Sequence, residues 1–185
     1  MINVTRWPAV ILANYRTGSS ALCYKLAADN NVSAHVEPTI AADRLQRFVE
    51  AYNSDTNYVV KFMPDQIDSC NLYRELLDSE CYKIKLLRKN KVEQIASFYI
   101  AEMRDKWWTL SNEQEKNYFI PINADVIKKS IDRILNTDSL LNDYDKADAT
   151  IYYEDLGILE DIDRKPSLKP NNIDRLLEII TNHVT

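Results

Sequence analysis

The chain has 185 residues, 45% of them hydrophobic and 28% charged, the composition of a folded globular protein and not of a disordered, fibrous or membrane-embedded one. Its length suits a single domain, 1–185, able to bury about 70% of the surface its unfolded chain exposes. With 23 basic against 28 acidic residues the net charge is −5, which gives no general attraction to nucleic acid, so any polyanion site must be local. Along the chain, Ala9–Ala13 is a short continuous apolar run, the pattern of a strand buried on both faces. From Ser19 the period becomes helical, with Leu22, Cys23 and Leu26 on one face and Asn30–Asn31 closing it. Val32–Val36 reads as a short strand stopped by Glu37–Pro38, and Leu45, Phe48, Val49 and Tyr52 form the stripe of an amphipathic helix. Tyr58–Phe62 is a further strand, and Ile67, Tyr73, Leu76 and Leu77 indicate a looser helix. Tyr82–Leu87 is the next strand, and Asn90 caps a long helix carrying Val92, Ile95, Ala96, Tyr99 and Met103. Trp107–Pro121 reads as a helix end plus a loop. Val126, Ile127, Ile131, Ile134 and Leu135 mark another helix, Ala149–Tyr153 closes the strand series, and Ile173, Leu176, Leu177 and Ile180 predict a terminal helix.

Strands spaced by helices imply βαβ units and a three-layer α/β fold, a mainly parallel sheet with helices on both faces. Ligands of such sheets bind beyond the carboxyl ends of the strands. No apolar run approaches the ~20 residues of a bilayer span, and the first residues carry neither a signal-peptide pattern nor an acylation glycine, so no membrane association and a cytoplasmic location are expected. Cys23, Cys70 and Cys81 are scattered in apolar segments, as reduced thiols are. With His35 and His183 the only histidines and no Cys-x-x-Cys pair, no metal site is expected. Average usage would place roughly 13 glycines in this length. The chain has two, Gly18 and Gly157. Gly18 is therefore expected where the backbone needs positive φ or a close approach by a ligand.

Gly18 lies in Asn14-Tyr15-Arg16-Thr17-Gly18-Ser19-Ser20, between the first strand and its helix. A glycine turn with hydroxyls at a helix amino terminus presents backbone N–H groups and a positive dipole end, an anion cradle. An ordinary serine cap is the plainer alternative. The Gly-Lys-Ser/Thr ending of an ATP-binding loop is absent, which disfavours an ATP-dependent phosphotransferase. After the Tyr82–Leu87 strand, Arg88-Lys89 and then Ser97, two turns into the next helix, form a candidate second phosphate site, or else a solvated strand end.

The two segments together, Tyr-Arg-Thr-Gly-Ser-Ser-Ala-Leu and Leu-Leu-Arg-Lys-Asn-Lys-Val-Glu-Gln-Ile-Ala-Ser-Phe-Tyr, resemble the sulfotransferase superfamily that uses 3′-phosphoadenosine 5′-phosphosulfate, especially its bacterial and carbohydrate-type branches. The resemblance implies a P-loop-like three-layer fold and sulfuryl transfer to a hydroxyl or amine of a small-molecule or carbohydrate acceptor. The product would be 3′,5′-adenosine bisphosphate, with no metal required. It implies that Arg16, Thr17, Gly18, Ser19 and Ser20 bind the 5′-phosphosulfate, and that Arg88 or Lys89, with Ser97, holds the 3′-phosphate. Val59-Val60-Lys61-Phe62-Met63-Pro64 is similar to the family's strand ending in Lys-x-x-Pro, whose lysine lies near the transferring group. Lys61 is alternatively a snorkelling edge-strand lysine. Ile151–Leu156 looks like the family's late Tyr-Glu-Asp-Leu strand, usually structural.

By the same resemblance Glu37, before Pro38, is the general base, with His35 the alternative and a solvated turn carboxylate the plainer reading. Glu37→Gln is then expected to spare nucleotide affinity and thermal stability. Ala21 occupies the loop-end position where cytosolic members carry an aromatic that stacks on adenine. The chain is shorter than most members, which leaves room for a homo-oligomer in which a partner subunit completes the acceptor site. Trp107–Trp108 is a candidate acceptor platform or a core pair, and Asp161–Lys165 reads as a solvated charge run. The competing functions are a P-loop phosphotransferase or hydrolase and a non-catalytic nucleotide-binding protein.

Overall fold

The computed structural model describes residues 2–54, 56–105, 118–156 and 170–184. Trp107–Trp108, Gly157 and Asp161–Lys165 lie outside the described residues. Five strands form one all-parallel sheet: β1 (Ala9–Ala13), β2 (Ser33–Val36), β3 (Tyr58–Phe62), β4 (Tyr82–Leu87) and β5 (Ala149–Tyr152), in the order β2-β3-β1-β4-β5. Central β1 pairs with β3 and β4 and is buried along its whole length. That double burial is why it reads as an unbroken apolar run. Among the described residues no helix is long and apolar enough to cross a membrane.

Side chains alternate between the two faces of the sheet. Ala9, Ile11 and Ala13 pack with Ala21, Leu22, Cys23 and Leu26 of α1 (Ser19–Asn30). Val10 and Leu12 face the opposite layer, where Phe48 of α2 (Ala42–Asn53) and Tyr73, Leu76 and Leu77 of α3 (Asn71–Asp78) meet Phe62 and Leu141. Phe62 stacks on Tyr73 with ring centroids 4.0 Å apart. A third cluster joins α4 (Lys91–Arg104), α5 (Ala124–Asp143) and α6 (Ile173–Val184) through Ile95, Tyr99, Ile127, Ile134, Leu176 and Ile180.

The structure differs from the sequence reading at three places. The looser helix around Ile67 is two pieces, a 3₁₀ turn Pro64–Ser69 and then α3, separated by Cys70 in extended conformation. Pro at the start of that turn and the extended Cys70 stop one continuous helix from forming. The last strand ends at Tyr152, because Tyr153 opens a short 3₁₀ turn, Tyr153–Asp155. Lys61 does not lie on an edge strand: β3 is flanked on both sides by β2 and β1, and Lys61 is 2% exposed.

A buried polar circuit fixes the carboxyl end of β1. The Asn14 amide donates to Ile134 O and Asp138 Oδ1, both at 2.8 Å, and its oxygen accepts the Tyr15 N–H at 2.7 Å. Asp138 Oδ2 in turn pairs with Lys91 Nζ at 2.5 Å. Gln94, fully buried, donates to Tyr15 O at 2.7 Å. Each buried polar group in this circuit has a partner, as the cost of an orphan requires. Asn14→Ala strips a partner from Asp138, Ile134 and Tyr15 together, so chemical denaturation should show a loss of about 2–3 kcal/mol. A loss within the range of a neutral surface change would contradict the structural weight given to this circuit.

Candidate functional site

In the order β2-β3-β1-β4-β5, the loop leaving β1 leads through α1 toward β2, whereas the loop leaving β4 leads through α4 to the β5 side. Adjacent strands whose connections diverge leave a crevice at their carboxyl ends, the usual binding position in an open parallel sheet. Tyr15–Ser20 follow β1 and Arg88–Asn90 follow β4 at that edge of the sheet.

Gly18 is the amino cap of α1, with φ 70° and ψ 12°, and no side chain caps the helix. The first-turn N–H groups of an α-helix have no acceptor within the helix and carry the positive end of its dipole. The expected positive φ is therefore present, but the close approach is made by the chain itself. A Cβ at Gly18 would stand 2.8 Å from Tyr153 Cε2. Thr17, expected among the anion-binding hydroxyls, is buried and donates its hydroxyl to Asn14 O at 2.7 Å, so it serves the turn. Ser19 is buried and Ser20 and Ala21 complete the first turn beside it.

Arg16 joins the two sides. Its Nε donates to Ser97 Oγ at 2.9 Å, and its carbonyl accepts from Arg88 Nη1 at 3.1 Å. The Arg88 guanidinium lies 4.9 Å from the Tyr153 ring centroid and pairs with Glu93 at 3.1 Å. Its Nε is buried without a hydrogen-bond acceptor among the described residues, the nearest carboxylate oxygen of Glu154 standing 3.9 Å away. A buried donor of this kind is able to serve a bound anion. Lys89 is turned elsewhere: its Nζ pairs with Asp155 at 2.6 Å and lies 5.1 Å from the Tyr152 ring centroid. The structure thus gathers Arg16, Arg88 and Ser97 and leaves Lys89 outside the group.

The late Tyr-Glu-Asp segment has a physical task. Glu154 accepts the backbone N–H groups of Lys89 and Asn90, each at 3.0 Å, and so pins the β4–α4 turn. Burial alone would raise its pKa, but the Asn90 and Lys89 N–H groups and the Arg88 charge outweigh burial and hold it below the ordinary carboxylate value.

Glu37 and Lys61 meet beyond the ends of β2 and β3. Lys61 Nζ is 2.5 Å from Glu37 Oε1 and 3.0 Å from Met63 Sδ. Burial holds the Lys61 ammonium below its ordinary pKa, with Glu37 opposing that effect. Glu37 adopts φ 46° directly before Pro38, donates its N–H to Lys61 O at 2.8 Å, and has Gln66 Nε2 3.5 Å from Oε2. His35 points to the other face of the sheet, against Phe48 and Tyr58 at 5.7 Å, with Ser33 Oγ 3.0 Å from its ring nitrogen. Burial, with the Arg47 charge, lowers its pKa. The two base candidates are therefore separated by the sheet. Because Lys61 is buried, Glu37→Gln removes the counter-charge of a desolvated ammonium, so the expectation of unchanged stability gives way to a substantial loss.

Four non-glycine residues have positive φ among the described residues: Arg16, Asn31, Glu37 and Asp105. Asn31 and Asp105 close helices, where asparagine and aspartate are common in this conformation. Arg16 and Glu37 close no helix and are both candidate site residues. Left-handed backbone costs such residues about 1–2 kcal/mol each, and strain of this kind collects at functional sites.

One cluster escaped the sequence reading. Tyr15 Oη donates to Asp65 Oδ2 at 2.7 Å and accepts from Arg133 Nη2 at 2.5 Å, while Arg133 pairs with Asp65 at 3.0 Å. Burial and the Asp65 carboxylate raise the Tyr15 pKa. These residues come from the β1 loop, the turn after β3 and mid-α5, so only the position of Tyr15 beside Arg16 and of Asp65 after a strand end was available as a signal. No family model, no curated protein and no solved structure matches this chain.

Two tests follow from the packing of the site. Gly18→Ala places a Cβ against the Tyr153 ring in a left-handed conformation, so denaturation should show a loss of ~2–4 kcal/mol. A neutral Gly18→Ala would remove the Tyr153 contact from the account. Glu154 has a lowered folded-state pKa, so its stabilisation is complete above the unfolded value of 4.5 and fades as pH falls through the lower folded value. Glu154→Gln should be less stable near neutrality by about 1 kcal/mol, a figure discounted for partial exposure. The gap from the parent protein should close as the pH drops below 4.5. A gap that stays constant with pH would contradict the assigned hydrogen bonds.

Proposed function

We propose that the protein transfers a sulfuryl group from 3′-phosphoadenosine 5′-phosphosulfate to a hydroxyl or amine of a small-molecule or carbohydrate acceptor. The observation that carries this reading is the junction at Arg16. Its side chain reaches Ser97 and its carbonyl accepts from Arg88, so the glycine cradle and Arg88 after β4 form one continuous anion site. A nucleotide with separate 5′ and 3′ anions is the ligand such a double site suits. The three cysteines are free thiols, which suits the reducing cytoplasm.

In the reaction, the acceptor oxygen forms a bond to sulfur as the bond between sulfur and the 5′-phosphate oxygen breaks, its electron pair passing to the phosphate. Arg16 and the α1 first-turn N–H groups are the fixed donors for the charge that grows on the leaving phosphate and the sulfuryl oxygens, and Lys61 is a further donor for the sulfuryl oxygens. Glu37 takes the acceptor proton, a role typically worth ~10²–10⁴ in rate. Arg88 and Ser97 hold the 3′-phosphate and supply binding energy remote from the reacting atoms.

The test compares 3′,5′-adenosine bisphosphate with ATP and Mg²⁺ as ligands. Without metal, the bisphosphate should raise the melting temperature by binding the folded state. Arg88→Ala should weaken it about ten- to a hundredfold, the worth of a charge-assisted hydrogen bond, and weaken 5′-AMP far less, only through the loosened Arg16 carbonyl. Lys89→Ala should change neither. Equal or greater stabilisation by ATP with Mg²⁺ would favour the phosphotransferase reading and overturn this one.

A further inference from the structure

We propose that the Lys61–Glu37 ion pair is a latch that the 5′-phosphosulfate opens, so that the general base becomes available only after the nucleotide has bound. The inference rests on the functional reading above and adds an order of events to it.

The pair sets two requirements against each other. Lys61 is 2% exposed, and a desolvated ammonium needs an anion beside it. Its close anionic partner is Glu37 Oε1 at 2.5 Å. The sulfuryl-transfer reading asks Lys61 to face sulfuryl oxygens and Glu37 to accept a proton. Neither is met while they hold each other. Protonating Glu37 in the closed pair would leave the buried ammonium without its counter-charge. An incoming anion can take Glu37's place at Lys61 Nζ, and the proposed nucleotide carries one to this edge of the sheet.

The surroundings permit that exchange without backbone movement. Glu37 is held from three sides independently of Nζ. Its N–H donates to Lys61 O at 2.8 Å, Pro38 fixes the residue that follows, and Gln66 Nε2 lies 3.5 Å from the second carboxylate oxygen. Gln66 is anchored in turn, its Oε1 accepting the Met63 N–H at 3.1 Å. Lys61 has a flexible four-carbon stem, and its contact with Met63 Sδ at 3.0 Å is a soft one. When Nζ swings to the phosphosulfate, Glu37 stays in place with Gln66 as its remaining donor and regains its capacity to accept the acceptor's proton.

A latch that nucleotide must open works against nucleotide binding, which gives an outcome a merely structural ion pair would not produce. In calorimetric titration, Glu37→Gln should bind 3′-phosphoadenosine 5′-phosphosulfate about tenfold more tightly than the parent, because Lys61 no longer has a competing carboxylate. Adenosine 3′-monophosphate, which lacks the 5′ anion, should bind both equally. In a Lys61→Met background, Glu37→Gln should have no effect on either ligand. If Glu37→Gln does not fold, Glu37→Asp, which draws the charge back by one methylene, should give the same sign with smaller amplitude. A parent protein that binds the phosphosulfate, with the folded Glu37 variant equal to it or weaker, would overturn the latch and leave the functional reading standing. A parent protein that binds no adenosine phosphosulfate or bisphosphate would overturn both.

Discussion

The site depends on one constraint, the immobilisation of three successive backbone positions at the end of β1. Asn14 is locked through its side chain to Ile134 and Asp138, the Tyr15 carbonyl is held by Gln94, and the Arg16 carbonyl is held by Arg88. These anchors lie on α5, on α4 and at the end of β4. A loop carrying a left-handed Arg16 and a left-handed Gly18 would relax without them, since each non-glycine residue in that conformation costs about 1–2 kcal/mol. The helices behind the sheet therefore hold the loop in the shape that leads into the first turn of α1. Preorganisation of this kind is what makes fixed donors effective toward a developing negative charge.

The same economy governs the charges around the crevice. Arg88 and Lys89 are neighbours in sequence, yet Tyr153 and Glu93 engage the first and Asp155 the second. Glu154 sits between them and uses its carboxylate on backbone N–H groups. The short turn after β5 thus sorts the two cations, shapes the floor beneath Gly18 through Tyr153, and pins the turn that launches α4. On the other side of β1, Lys61 and Glu37 form a buried pair whose stability value depends on both partners being present. Tyr15, Asp65 and Arg133 tie this side to the β1 loop and to α5.

Much of the fold was legible because the three inner strands are buried on both faces, which leaves their runs of apolar residues unbroken, Lys61, Lys83 and Lys85 excepted. β1, β3 and β4 have the boundaries that the sequence predicts. One misread segment depends on a distant partner: Tyr153 leaves the strand to pack on Gly18, 135 positions away in the chain. In the site, residue type and place after a strand end marked Arg16 and Gly18 as candidates, and the family resemblance marked Glu37 and Lys61. That Lys89 turns away from Arg16 was hidden, because its partner Asp155 is remote in sequence. The role of Thr17 was also hidden: its hydroxyl is directed inward by a carbonyl three residues earlier, which composition does not encode. Glu37 was read as the base and His35, two residues before it, as the alternative at the same sheet edge, and the sheet puts them on different sides.

The central claim is that the glycine cradle and the Arg88–Ser97 corner are two ends of one nucleotide site joined at Arg16. A crystal structure with 3′,5′-adenosine bisphosphate tests it most directly. The account predicts the 5′-phosphate on the N–H groups of Gly18–Ala21 and the 3′-phosphate between the Arg88 guanidinium and Ser97 Oγ, with Lys89 still on Asp155. A nucleotide bound with its 3′-phosphate away from Arg88 and Ser97, or bound outside the β1–β4 crevice, would contradict it.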